Sequence, residues 1–158
     1  MTGHIGQEPA EHLRFARYVQ ALEEVTEAEE ADLVAAVLRD QDATMADSAV
    51  GRHLDRRATQ LLTDQTFTSW AQTMAKVIAE RDFLTRRLHE WGLLRLIVLG
   101  KPWAAEELTG ATDWFQRTTV TAQIVTDPDA LRLLAEHGRT RRIRNAASQR
   151  LHQLERPS

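Results

Sequence analysis

Between Ala46 and Leu62, residues of one face return every three or four positions: Ala46, Ala49, Val50, His53, Leu54, Ala58, Leu61 and Leu62. On a helix that spacing draws a single stripe, which must be buried against a neighbour to escape water. The same period recurs along most of the chain, and the turns between stripes are short. A chain patterned this way stabilises itself by laying helix on helix. The expected fold is therefore all-α: stacked antiparallel helical hairpins, about eight or nine helices, in one domain over residues 11–156 behind a flexible segment 1–10.

The individual helices follow from local signals. Phe15, Val19, Leu22 and Val25 mark a first helix from about Glu11 to Glu24. Thr26 followed by Glu29 has the form of a capping box and opens a second helix, which buries Leu33, Val34, Val37 and Leu38. After the polar turn Asp40–Thr44 comes the striped third helix, and Thr63-Asp64 restarts the chain ahead of Phe67, Trp70, Met74, Val77 and Ile78. From Asp82 the pattern runs through Leu84, Leu88 and Trp91 and stops at Gly100 with Pro102 behind it, the order expected at a helix end. Leu96–Leu99 in isolation reads as a strand. Its continuity with the preceding helix, and the lack of a partner strand, make it the end of a buried helix. A short helix at Ala104–Leu108, then Thr112–Thr126, Pro128–His137 (capped by Asp127) and Thr140–Leu154 complete the expected set.

Composition removes several functional classes. The chain has no cysteine, which excludes a disulfide framework, a thiolate metal site and a cysteine nucleophile. The stretch Trp91–Gly100 is interrupted by Arg95 and is about half the ~20 residues a membrane helix needs. With no basic-then-apolar leader at residues 1–12, a cytoplasmic location is expected. Neither a glycine-rich phosphate loop nor a G-x-S-x-G or H-E-x-x-H motif occurs, and no two of the six histidines stand three to five residues apart. No catalytic residue, metal or cofactor is expected. His53 on the apolar stripe reads as a core histidine bonded to a carbonyl or a nearby acid. Asp127 and Asp129 read as helix-start acids, as do Glu106 and Glu107. A small helical enzyme or ligand-binding protein, with a pocket near His53 and Trp70, is the third functional reading.

Charge is unevenly laid out. Residues 1–47 hold eleven acids and three arginines, while residues 138–158 hold six arginines and one glutamate. An acidic end and a basic end on one chain suit a protein partner, or a second copy bound head to tail; nucleic acid is the alternative partner.

The C-terminal part carries a weak internal repeat. Thr112–Val120 can be laid on Thr140–Ser148 at an offset of 28 residues, with Phe115 on Ile143, Gln116 on Arg144 and Thr119 on Ala147. The helix between contributes Leu131, Leu133, Leu134 and Ala135, and the next one reads Ile143, Arg144, Ala146, Ala147. Over roughly residues 112–154 this resembles HEAT-like and leucine-rich-variant helical repeats. The resemblance implies a right-handed stack of hairpins whose exposed face binds another macromolecule. The cysteine cluster of some leucine-rich-variant proteins is absent, so their metal centre does not carry over.

The candidate contact surface is the basic segment Gly138–Arg150. At helical spacing Ile143, Ala147 and Leu154 point inward, Arg141, Arg142, Asn145 and Ser148 point outward, and Arg144 sits at the border, where HEAT-like stacks pair it with an acid of the neighbouring hairpin. Trp114 aligns with Arg142 in the repeat and is expected to face outward. The expected binding residues are Arg139, Arg141, Arg142, Arg144, Asn145, Trp114 and Arg117. The expected function is a non-enzymatic interaction scaffold that binds a protein through the basic last helix.

Overall fold

The computed structural model describes residues 3–156, the side chains of residues 3–9 and 11 excepted. The described residues form nine helices and no strand, so the fold is all-α. The helices are α1 (Gly3–Glu24), α2 (Glu27–Leu38), α3 (Ala43–Leu61), α4 (Phe67–Val77), α5 (Asp82–Val98), α6 (Ala105–Thr109), α7 (Asp113–Thr121), α8 (Pro128–His137) and α9 (Arg141–Glu155). The sequence periodicity suggests one domain; the described residues group into two compact units, divided between Leu88 and His89 within α5. The apolar spacing near Glu11 marks where α1 meets its core, whereas the helix itself begins at Gly3. The segment 1–10 read as flexible lies largely outside the described side chains, and Met1 and Thr2 lie outside the described backbone.

In the N-terminal unit α3 is the central element, packed by α1 and α2, and α2 also packs α4. The whole stripe from Ala46 to Leu62 is buried, including His53 at 1% exposure. Each fully buried leucine or valine there contributes roughly 1.5–3 kcal/mol of hydrophobic stabilisation. Asp42 caps α3 by accepting from the Met45 amide. Thr26 makes no side-chain cap on α2, so the expected capping box does not form, and the Glu29 amide instead donates to the Thr26 carbonyl. Asp40, between α2 and α3, accepts from Arg14 and from the Tyr18 hydroxyl at 2.7 Å, tying α1 to that turn.

In the C-terminal unit α8 and α9 form the tightest hairpin, with α7 packed on α9 and α6 on α8. Asp127 caps α8 through the Asp129 and Ala130 amides with Pro128 in the first turn, as the sequence signals require. Gly100 takes a positive φ of 69°, the left-handed turn that a glycine beyond the end of α5 supplies at little steric cost. α7 is shorter than its pattern: it stops at Thr121 because Ala122 is already extended.

Gly138 makes the α8–α9 turn by being small. A β-carbon there would lie 2.6 Å from the Leu134 carbonyl oxygen and 2.7 Å from Ile143 Cγ2. Gly138→Ala is accordingly expected to destabilise the C-terminal unit by about 1–3 kcal/mol, the usual effect of forcing atoms into a filled site. A thermal melt followed by circular dichroism checks this; an unchanged midpoint would mean the turn opens freely.

Candidate functional site

The basic segment divides into two groups of arginines. Thr140 opens α9 by accepting from the Ile143 amide, and this sets the rotation of the helix: Ile143 and Ala147 are buried at 1% and 0% exposure. Arg139, just before the helix, donates from its guanidinium to the carbonyls of Gly110 and Ala111, while its amide donates to Gln116 Oε1 at 2.9 Å. Arg144 donates to the Gly138 carbonyl at 2.8 Å. Arg150 donates to Val120 at 2.8 Å, to Ala122 at 3.1 Å and also to Val125. The carbonyls of Gly110, Gly138 and Val120 belong to the C-terminal ends of α6, α8 and α7. A helix leaves its last carbonyls without intrahelical partners and carries partial negative charge there, so each arginine satisfies both needs of one helix end.

The guanidinium groups of Arg139 and Arg144 thus serve the scaffold, although Arg139 is also exposed, and Arg144 meets a carbonyl where an acid was expected. Arg141, Arg142 and Asn145 are exposed, and none of their side chains makes a hydrogen bond or ion pair among the described residues. Leu154 is 42% exposed, against expectation. The reason is length: α9 has 15 residues, α7 has 9 and α8 has 10, so its last turn outlasts the helices it packs on.

Arg142, Ile143 and Ala146 of α9 face Trp114, Arg117 and Val120 of α7 across a groove of about 340 Å³. Trp114 is half-buried; its ring meets Trp91 edge-on at 5.7 Å, so the indole forms a wall of the groove instead of projecting freely. Arg117 is paired to Asp113 at 2.7 Å on the helix surface, an exposed pair worth only ~0.3–0.5 kcal/mol. Of the seven expected residues, the structure gathers Trp114, Arg117 and Arg142 here. Arg141 and Asn145 are exposed on the same helix outside the lining. Thr118, Val120, Thr121, Ile143 and Ala146 also line the groove and were not among the expected binding residues, although their spacing along α7 and α9 places them beside the residues that were found.

A second constellation lies in the N-terminal unit. Glu30 on α2 is 3% exposed. Its Oε2 accepts from His53 Nε2 at 2.6 Å, from Trp70 Nε1 at 2.9 Å and from Arg57 Nε at 3.0 Å. Arg56 donates to His53 Nδ1 at 2.9 Å and to the Leu22 carbonyl at 3.0 Å. Arginine only donates, so Nδ1 accepts and the ring proton sits on Nε2. Burial by itself raises Glu30; the hydrogen bonds from His53, Arg57 and Trp70, with the Arg57 charge, outweigh it and hold the carboxyl at about 2. A cavity of about 230 Å³ is lined by Glu30, Arg57, Trp70 and Met74 but not by His53. Both ring nitrogens of His53 are committed, and it has no face on the cavity. The histidine is the core residue its position on the stripe implied, its partner being an acid.

Among the described residues no three His, Asp or Glu side chains converge as a metal site, and no helix is long and apolar enough to cross a membrane. No family model, curated protein or solved structure matches the chain.

Proposed function

We propose that this chain is a non-enzymatic protein-interaction module of the cytoplasm, a short HEAT-like helical scaffold whose α7–α9 groove receives an acidic segment bearing an apolar side chain. One observation carries the reading. In a helix whose part-buried arginines, Arg144 and Arg150, are engaged by carbonyls, the exposed Arg142 is left without a partner at the rim of a groove walled by Trp114, Val120 and Ile143. Tryptophan and arginine around an apolar pocket are the side chains that most often dominate protein–protein binding energy.

The same count weighs against nucleic acid. Each phosphate contact contributes about 0.9 to the salt slope of duplex binding, and proteins that hold duplex DNA by its backbone neutralise about 6–10 phosphates. On α9 only Arg141 and Arg142 are exposed and unpaired among Arg139–Arg150, because Arg139, Arg144 and Arg150 cap helix ends.

The test is fluorescence anisotropy with a labelled synthetic peptide of glutamates around a central leucine, and with labelled duplex DNA. Arg141→Glu/Arg142→Glu is expected to weaken the peptide by 10-fold or more, about 1.4 kcal/mol, while moving stability by no more than about 0.5 kcal/mol. Equal peptide binding by both proteins would overturn the proposal, as would duplex binding tighter than peptide binding at physiological salt.

A further inference from the structure

An acidic counterpart to the groove occurs in the chain itself. Around the α1–α2 connection, Glu23, Glu24, Glu27, Glu29 and Asp32 are all exposed, and the half-buried Val25 stands between them. Glu27 is 82% exposed and reaches Arg57 only at 3.7 Å, and Glu24 accepts from Gln20. Glu23, Glu29 and Asp32 have no hydrogen bond or ion pair from their side chains among the described residues. Like charges crowded on one edge repel, and a cation brought to them relieves that repulsion. Two arginines of the N-terminal unit are committed elsewhere: Arg57 is turned inward to Glu30, and Arg14 to Asp40. The composition of this edge, acids around a single valine, is what the α7–α9 groove selects.

We infer that the occupant of the groove is a second copy of this chain, its acidic α1–α2 edge set against Arg141 and Arg142 with Val25 toward Trp114 and Ile143. The inference rests on the groove reading above and adds the partner. Edge and groove are different surfaces, so the contact is heterologous: each copy offers one of each, and association runs head to tail. Exposed ion pairs are weak individually, and salt of about 0.15 M screens them beyond ~8 Å, so the association is a low-salt, high-concentration one.

Sedimentation velocity decides it. Wild-type protein is expected to gain mass with concentration at about 20 mM salt and to return to monomer at about 0.5 M. Arg141→Glu/Arg142→Glu, with an acidic groove facing an acidic edge, is expected to be monomeric throughout. Glu29→Arg/Asp32→Arg, which turns the edge from five acids into three acids and two arginines, is expected to be monomeric too. Mixed one to one, each variant supplies the surface that complements the other, and association is expected to return; a purely structural effect of either pair of substitutions could not produce that rescue. A wild-type monomer at low salt and high concentration, or a mixture that stays monomeric, overturns the second-copy inference. If the glutamate peptide still binds in that case, the groove reading stands with a foreign acidic partner. If the peptide fails as well, both readings fall.

Discussion

Glu30→Ala is expected to destabilise the N-terminal unit by about 3–5 kcal/mol, the usual consequence of removing one partner from a buried charge network. The loss has three sources. His53 Nε2 and Trp70 Nε1 are left as buried donors without an acceptor, Arg57 keeps a charge with its main counterion gone, and the space of the carboxylate empties. Urea unfolding followed by fluorescence checks it, since Trp70 sits at the centre of the network and is itself 7% exposed. A change below about 1 kcal/mol would place Glu30 among ordinary surface acids and contradict its burial.

The same carboxyl fixes a pH dependence. Held at about 2 in the fold against an ordinary 4.5, it favours folding by about 3 kcal/mol at neutral pH. Because the folded value is the lower one, that contribution is fully present above pH 4.5 and is lost as pH falls toward 2. Glu30→Gln removes the titrating group and is expected to flatten the decline across that window. Parallel acid profiles for wild type and Glu30→Gln would show that another group carries it.

Whether these effects were visible in the sequence depends on the range of the interactions. Helical periodicity is local, and it located every helix; the stripe of α3 is buried residue for residue. Glu30 was hidden by its neighbours, since Glu29 and Asp32 on either side are exposed acids. Its position nevertheless continues the inner face of α2, four residues before Val34 and seven before Val37, both at 0% exposure. That local signal was present, but its partners His53 and Trp70 come from two other helices and could not be assigned by spacing. The groove was legible in part for the same reason. Rotation of α9 separates Ile143 from Arg142, and α7 places Trp114 three residues before Arg117. What no local pattern reveals is which arginine will meet a carbonyl brought close by folding: Arg139 reaches 28 residues back to Ala111, and Arg150 reaches 30 back to Val120. Helix ends are harder still, because a long-range donor can take the last carbonyls and let the chain leave the helix early, as α7 does at Thr121.

Arg150→Ala is therefore expected to separate two kinds of arginine on one helix. Its guanidinium satisfies three carbonyls, at Val120, Ala122 and Val125, closing the end of α7 and the loop that leads to α8. Hydrogen bonds from a charged donor contribute about 1.5–3 kcal/mol each in favourable settings, and the carbonyls abandoned by alanine regain water only in part. Since the site is part-buried, a net loss of about 2–4 kcal/mol is expected. Arg150→Lys should recover only a fraction, because a single ammonium cannot reproduce the spread of a planar fork across three acceptors. Arg141→Ala, one turn from the same hairpin but facing water, is expected to shift stability by less than about 0.5 kcal/mol. Thermal unfolding of the three variants side by side measures the contrast. Equal effects from Arg150→Ala and Arg141→Ala would mean that the arginines of α9 form one solvated face, and the distinction between arginines that close helix ends and those left free for a partner would fail with it.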